Sequence, residues 1–244
     1  APLELTIFVT ACFTGALIAG VAGFAFGLIA SAIWLHAITP AQSAVLIAAF
    51  AIIIQGASLW KLRHAVQVSR IVPFFVGGVV GIPLGAEILR WASPSAMRTF
   101  VGAALVLFSV YSLVRPRLPV VGGGKLADGV VGVASGFLGG STGLAGIPVI
   151  IWSTLRGWSK DEQRAVFQPV VVGIFLMTLV WFGGSQMLTQ DTLRLFAIGL
   201  PAVLLGTWLG LRLYGKLDEV NFRRMVLVLL LISGLTLLPW SNIS

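Results

Sequence analysis

The stretch GGSTGLAGIP, Gly139 to Pro148, lies in the middle of an apolar run that is long enough to enter a membrane. It contains four glycines, a Ser-Thr pair and a proline, and both glycine and proline weaken a helix. Backbone at membrane depth departs from the helix only where it is buried in protein or lines a cavity, because lipid offers no hydrogen bonds. The stretch therefore predicts a broken membrane helix beside a cavity.

The composition indicates the class of protein. Of the 244 residues, 58% are hydrophobic and 10% are charged, and the mean hydropathy is +1.02, whereas soluble domains carry about 25% charged residues. No Asp, Glu, Lys or Arg occurs between Glu4 and Lys61. No basic region precedes the first apolar run, so we expect no cleaved signal peptide. We predict an all-α polytopic membrane protein, surrounded by the lipid bilayer and without a soluble domain.

The net charge of +8 and the pI of 10.8 do not require a nucleic-acid partner. Excess Lys and Arg accumulate in the cytoplasmic loops of membrane proteins, and this explanation suffices here. The single cysteine, Cys12, and the two histidines, His36 and His64, are too few for a metal site. We expect neither a metal nor a cofactor.

The chain repeats itself. The pattern GxxGxxxGL occurs at Gly20–Leu28 and again 116 residues later at Gly136–Leu144. Two further matches follow in the same order, at offsets of 121 and 125. They relate Gln42-x-Ala44-Val45 to Gln163-x-Ala165-Val166, and Gly81, Gly85 and Arg98 to Gly206, Gly210 and Arg223. We infer a duplication in which residues 1–120 and 121–244 are two repeats of one membrane domain.

Each repeat is predicted to contain one glycine-broken segment followed by three ordinary spans, since about 20 residues cross the hydrocarbon. The predicted segments are 5–36, 41–60, 71–89 and 97–114 in the first repeat, and 126–155, 165–186, 195–214 and 224–240 in the second.

The distribution of basic residues favours broken segments that return to their own side. If all eight segments crossed the membrane, the loops on one side would hold seven Lys and Arg and those on the other side nine. If the two broken segments instead return to their own side, thirteen Lys and Arg lie on one side and three on the other. Positive residues concentrate on the cytoplasmic side. Three crossings in each half then make the halves inverted repeats, a design of secondary transporters with the binding site near the midplane.

The second break is the predicted anion site. Gly139, Gly140 and Gly143 permit a turn and expose N–H groups, while Ser141 and Thr142 can cap the following half-helix or donate to a ligand. The start of a half-helix offers free N–H groups and a positive dipole end, which attract an anion. Close helix packing is the alternative explanation for the glycines.

The first break and three polar residues complete the predicted site. Gly23 and Gly27 keep the glycines of the break, while Phe24 and Phe26 supply aromatic walls. Two amides within apolar spans, Gln55 and Gln168, need partners, which are a substrate or a neighbouring helix. Arg164 begins a span shortly after the second break and is placed to draw anions inward, although orientation of the protein also explains it.

The chain resembles the sulfite exporter TauE/SafE family, also called the toluene sulfonate uptake permease family. The resemblance rests on Gly20–Leu28, on Gly136–Pro148, and on the following Arg156-Gly-Trp158 and Gln163-Arg-Ala165, and it extends over nearly the whole chain. It implies a bacterial-type inner-membrane transporter, and not an enzyme, for small sulfur-containing anions such as sulfite, sulfonates or sulfoacetate. The sequence leaves a homodimer open.

Two other functions are compatible with parts of the sequence. Ser141 in a glycine-rich turn suggests an intramembrane serine hydrolase, with His36 or His64 as the base. Both histidines fall in predicted loops, however, and not at midplane depth. A structural membrane subunit is the third possibility, but a scaffold gives no reason for two polar breaks at matching places.

Overall fold

A computed structural model describes residues 2–22, 25–62, 68–114, 120–184, 188–213 and 219–239. These ranges hold ten α-helices and no strand: α1 (Pro2–Ala22), α2 (Phe26–Trp34), α3 (Pro40–Leu62), α4 (Val68–Trp91), α5 (Pro94–Val114), α6 (Lys125–Thr142), α7 (Gly146–Leu155), α8 (Lys160–Gly184), α9 (Gln190–Leu213) and α10 (Glu219–Leu237). The predicted all-helical membrane fold is confirmed.

Each predicted segment corresponds to an observed element. The two glycine-broken segments are the pairs α1–α2 and α6–α7, and the six ordinary spans are α3, α4, α5, α8, α9 and α10. Within the described residues, five helices are long and apolar enough to cross a membrane, namely α1, α4, α5, α8 and α9. The half-helices α2 and α7 have only 9 and 10 residues, so at about 1.5 Å per residue each reaches roughly halfway through the hydrocarbon.

Matching capping boxes begin the first helix after each broken segment. Before α3, the Gln42 side chain accepts from the N–H of Thr39 at 3.1 Å and the Thr39 hydroxyl accepts from the N–H of Gln42 at 3.2 Å. Before α8, Glu162 and Ser159 make the same reciprocal pair at 3.0 and 3.4 Å. Both boxes satisfy N–H groups that a helix start leaves without intrahelical partners. They relate the two halves at an offset of 120 residues.

Glycines allow α4 to pack directly on the backbone of α6, and α9 on that of α1. A Cβ on Gly81 of α4 would lie 2.1 Å from the carbonyl oxygen of Val133. The corresponding Gly206 of α9 would meet the carbonyl oxygen of Phe13 at 2.4 Å. Such backbone contact requires small residues. The repeated contact relates α1 to α6 at an offset of 120, so the offset of 116 taken from the glycine pattern is wrong by four residues.

Each broken segment folds back on itself. In the second, the indole N–H of Trp152 donates to Oδ1 of Asp128 at 2.8 Å, and the N–H of Val121 donates to the carbonyl of Leu155 at 2.9 Å. In the first, the indole N–H of Trp34 donates to the carbonyl of Phe8 at 3.4 Å. The end of α7 thus lies beside the start of α6, and the end of α2 beside the start of α1. The repeat boundaries and the inversion of one half relative to the other stay predictions.

Candidate functional site

The second break lies a few residues beyond its predicted place. Helix α6 continues to Thr142, and Gly143 then adopts a left-handed conformation with φ of 77°. The N–H groups of Gly143 and Leu144 donate back to the carbonyls of Gly139 and Leu138, each at 3.2 Å, which is a glycine-based helix C-cap. The break therefore spans Gly143–Ala145, and α7 begins at Gly146.

This shift changes the roles of the predicted polar groups. Residues 139–142 form the last turn of α6, so their N–H groups point at carbonyls of the preceding turn and are not exposed to a ligand. The hydroxyls of Ser141 and Thr142 donate to the carbonyls of Phe137 and Leu138 at 2.7 and 2.8 Å. The predictions of exposed amides and of a Ser-Thr cap on α7 are wrong. A hydroxyl inside a helix satisfies itself most readily on the carbonyl four residues earlier.

Two of the predicted glycines serve helix packing. A Cβ on Gly140 would lie 2.5 Å from the carbonyl oxygen of Ile82 in α4. A Cβ on Gly139 would lie 3.1 Å from both Ala145 and Ile174. The alternative explanation, close packing of helices, accounts for these two positions.

The first break contains a strained residue. Ala25 precedes α2 with φ of 88° and ψ of −6°, a left-handed conformation that costs an L-residue about 1–2 kcal/mol. Its carbonyl accepts the first intrahelical bond of α2, from the N–H of Ile29 at 3.0 Å. Strain of this kind concentrates at functional sites. The predicted site residues Gly23 and Phe24 lie outside the described residues.

The two breaks meet at a cavity of about 40 Å³. A Cβ on Gly27 would lie 3.0 Å from the carbonyl oxygen of Gly143. The cavity is lined by residues of both breaks and of α3 and α8: Ala25, Phe26, Gly27, Leu28, Ala51, Gln55, Gly143, Leu144, Gly146, Ile147, Ile150, Phe167, Val171 and Phe175. The first turns of α2 and α7 both lie at this cavity, and a first turn has N–H groups without intrahelical partners.

The family comparison agrees with this architecture. The family model described as Sulfite exporter TauE/SafE matches residues 7–237. The chain belongs to the TauE/SafE family. A search of curated proteins and a search of solved structures gave no match. TauE/SafE proteins form a transporter family, and the apolar helices make this member a multi-pass membrane protein.

Four predicted site residues line the cavity of this TauE/SafE protein: Phe26, Gly27, Gln55 and Gly143. The predicted residues Gly139, Gly140, Ser141, Thr142, Arg164 and Gln168 do not line it. Gln168 is buried at 2% exposure within α8. Arg164 is half-buried in the same helix, one turn before the lining residue Phe167.

Phe26 is both a cavity wall and a packing residue. Its ring meets Trp34 edge-on at 5.9 Å and Phe50 edge-on at 6.0 Å between centroids. Trp34 also stacks on Phe8 at 5.0 Å and is fully buried. The aromatic wall is therefore held by a rigid cluster that also joins α2 to α1 and α3.

Sequence reasoning missed the apolar part of the lining. Phe167, Val171 and Phe175 recur every fourth residue of α8 and so share one face. This spacing could have marked a face of α8, but many buried helices show the same spacing. Gly146 and Ile147 lie within the GGSTGLAGIP stretch itself, and only the true end of α6 shows that they begin the second half-helix. The fourteen lining residues include no ionisable side chain.

The arrangement gives no support to a serine nucleophile at Ser141. The residue is buried at 1% exposure, and its hydroxyl donates to the carbonyl of Phe137. His36 is exposed just after α2, and His64 lies outside the described residues. A hydroxyl used in this way is not activated by an imidazole, as nucleophilic catalysis requires.

Proposed function

We propose that this TauE/SafE member is a secondary transporter that moves small sulfur-containing anions, such as sulfite, sulfonates or sulfoacetate, across the bacterial inner membrane. The observation that carries the proposal is the convergence of two helix N-termini, those of α2 and α7, on one cavity whose fourteen described lining residues are all uncharged. Small anionic substrates and the lipid bilayer are its partners in this proposal.

The electrostatics of the cavity support an anion. Each helix N-terminus carries roughly half a positive charge. The N–H groups of a first turn lack partners within the helix, although in α7 the N–H of Ile147 donates to the carbonyl of Leu144 at 3.2 Å and Pro148 has no N–H. Together, α2 and α7 supply about one positive charge, of which the C-terminus of α6, at Gly143 in the same lining, offsets about half. Inside a membrane protein this charge acts through a low dielectric constant, which strengthens the attraction. No acidic side chain among the described residues lines the cavity to oppose it, and the Gln55 amide is the polar side chain among the fourteen lining residues.

The walls suit a substrate with a small organic part. Phe26, Phe167 and Phe175 line the cavity, and aromatic rings bury apolar groups favourably. A sulfonate combines an oxyanion for the helix ends with a carbon chain for these rings. The cavity measures about 40 Å³, and one water molecule needs about 10–15 Å³. It therefore has room for only a few water molecules. A sulfonate is larger, so its binding requires the half-helices to move apart.

Arg164 lies in α8 about one turn before the cavity lining begins at Phe167. It precedes Phe167 by three residues on the face of α8 that carries Val171 and Phe175. A half-buried guanidinium at that point attracts an anion toward the helix ends. In the proposed topology this end is cytoplasmic, where thirteen of the sixteen Lys and Arg lie.

Alternating access in this proposal comes from two inverted halves, residues 1–120 and 121–244, that move relative to each other around the shared cavity. The inside-negative potential favours outward movement of an anion by about 2.3 kcal/mol per charge per 100 mV. Export therefore needs no coupled proton.

The test is transport into proteoliposomes of purified protein under an imposed potential. Sulfite, thiosulfate, taurine, sulfoacetate and sulfate are compared, with protein-free liposomes as the control. We expect saturable uptake of at least one sulfur-containing anion that follows the sign of the potential. Absence of uptake for all five, with folded and monodisperse protein, would refute the proposal.

A further inference from the structure

A stack of aromatic rings and guanidinium groups closes the second broken segment at the end of α7 that points away from the cavity. The guanidinium of Arg156 lies 5.7 Å from the ring centroids of both Trp152 and Trp158. The guanidinium of Arg70 lies 6.0 Å from the same Trp158 ring. The order Trp152, Arg156, Trp158, Arg70 therefore alternates ring and cation, and we call it the Arg–Trp stack.

The Arg–Trp stack is tied to neighbouring helices at both ends. The Trp152 indole donates to Asp128 in the first turn of α6 at 2.8 Å, and Arg70 of α4 pairs with Glu162 of α8 at 3.4 Å. In its middle, Arg156 donates through Nη1 to the carbonyl of Gly123, just before α6. The stack thus joins the end of α7 to the starts of α4, α6 and α8.

Helix α7 connects the Arg–Trp stack with the cavity. It carries the lining residues Gly146, Ile147 and Ile150, and Trp152 follows Ile150 by two residues in the same ten-residue helix. Of the stack, Trp152 lies within α7, whereas Arg156 caps its end and Trp158 follows Gly157, which has a φ of 63°. Displacement of Trp152 would move α7, because so short a helix moves nearly as a unit. The stack and the cavity wall are therefore linked through α7.

The first broken segment is closed differently. There Trp34 stacks on Phe8, and both are almost fully buried at 0% and 1% exposure. The four members of the Arg–Trp stack are only half-buried. Cation–π contacts at partly exposed sites are individually weak, so the stack can separate far more readily than the buried Phe8–Trp34 pair.

We propose that the Arg–Trp stack is a latch that holds α7 closed at the basic end of the protein and separates when the cavity opens toward that end. Arg156 and Trp158 are then positioning residues that act on the cavity through α7. The proposal rests on the proposed transport function, because a latch has a purpose only if the cavity opens to each side in turn.

The experiment measures opening without any substrate. Cys12, the single cysteine, is replaced by alanine, and Ile150→Cys places a reporter thiol in the cavity lining. A membrane-impermeant maleimide is added from the side of the Arg156 loop, and the labelling rate is measured. In Trp158→Ala, which removes both guanidinium contacts of the central ring, we expect labelling roughly 5- to 30-fold faster. Trp158→Phe keeps a ring and should restore a slower rate.

The control variant is Arg212→Ala. It removes the contact of Arg212 with the Trp208 ring, at 4.0 Å, in the last turn of α9. This contact lies at the same predicted membrane side but does not involve α7, so labelling of the reporter thiol should stay at its starting rate. Equal acceleration in Arg212→Ala and Trp158→Ala would overturn the latch, because it would indicate general loosening.

A second variant tests the latch if Trp158→Ala does not fold. Arg156→Gln removes the guanidinium between the two tryptophan rings and should also accelerate labelling. An unchanged rate in a folded stack variant, judged by a monodisperse elution profile, would overturn the latch even if the protein transports anions. Faster labelling in a protein that transports none of the tested anions would support the latch and reject the proposed substrate.

Discussion

Gly27 and Gly143 bring the two broken helices together, because a Cβ on Gly27 would lie 3.0 Å from the carbonyl oxygen of Gly143. One residue belongs to the first turn of α2 and the other ends α6. Both line the cavity. A side chain at Gly27 would push against the end of α6, whereas one at Gly143 would meet Ile47 of α3 at 2.8 Å and would have to adopt a φ of 77°. Each half therefore needs a glycine near its break, for a different reason.

Substitution of Gly27 should therefore impair transport more than folding. Gly27→Ala places a methyl group 3.0 Å from both the Gly143 oxygen and Cγ2 of Ile47, so neighbouring atoms must shift, and Gly27→Val should abolish transport. The measurement is the initial uptake rate in proteoliposomes, with thermal unfolding of the same preparations. Gly56→Ala in α3 is the matched control, because no described atom lies within 4 Å of its added Cβ. Equal uptake in Gly27→Val and Gly56→Ala would remove Gly27 from the site.

Gly140→Val should destabilise the protein rather than selectively abolish ligand binding. Its Cβ would lie 2.5 Å from the Ile82 carbonyl oxygen, and overpacking costs about 1–3 kcal/mol or more. Ser141→Ala should leave binding almost unchanged, since that hydroxyl already donates to Phe137. Thermal unfolding and calorimetric ligand titration distinguish these effects. Normal stability combined with lost binding in Gly140→Val would contradict the assignment of Gly140 to packing.

Ala25→Gly should stabilise the protein. The left-handed φ of 88° at Ala25 costs about 1–2 kcal/mol, while the added backbone freedom of glycine costs roughly 0.5–1 kcal/mol. We expect a net gain of about 0.5–1 kcal/mol in the free energy of unfolding. The control is Ala134→Gly at an exposed position within α6, which should destabilise by about 1 kcal/mol. Destabilisation by both changes to a similar extent would contradict the strained conformation at Ala25.

The cavity should prefer monoanions to dianions. Two helix N-termini and the opposing C-terminus of α6 leave about half a positive charge at the cavity, and no ionisable side chain among the described residues lines it to add another. Sulfite uptake should therefore rise as the pH falls, because protonation converts the dianion to the monoanion. Uptake of an alkanesulfonate, a monoanion throughout this range, should stay nearly constant and serves as the control. Faster uptake of sulfite at high pH than at low pH would contradict this charge balance.

Loops that flank the second broken segment should lie on the same membrane side. In a Cys12→Ala background, cysteines at Gly122 and Lys160 should react with an impermeant reagent from one side, and a cysteine at Ser95 from the other. These positions precede α6, begin α8 and begin α5. Gly122 tolerates the change, because its added Cβ has no described neighbour within 4 Å. Labelling of the Gly122 and Lys160 positions from opposite sides would mean that α6–α7 crosses the membrane.

The sequence alone predicted the helical membrane fold and the two broken segments. The low charge content and the charge-free run between Glu4 and Lys61 indicated a membrane chain, and a helix satisfies the backbone groups of such a chain internally. Glycines marked both breaks to within a few residues, and the basic loops favoured segments that fold back. Phe26, Gly27 and Gly143 were picked from the breaks and Gln55 from an apolar span, and all four line the cavity. Their role in binding stays a prediction.

Only the tertiary structure decided what each residue in the breaks does. Gly140 and Gly143 are alike in sequence, yet Gly140 packs on the backbone of α4 whereas Gly143 ends α6 beside the cavity. Similarly, the sequence suggested that the hydroxyls of Ser141 and Thr142 donate to a ligand. In the structure both residues lie within α6, and their hydroxyls donate to the carbonyls of Phe137 and Leu138. The function of a small or polar residue in a membrane helix depends on which backbone lies opposite it. That neighbour comes from a distant part of the chain, so the local sequence does not specify it.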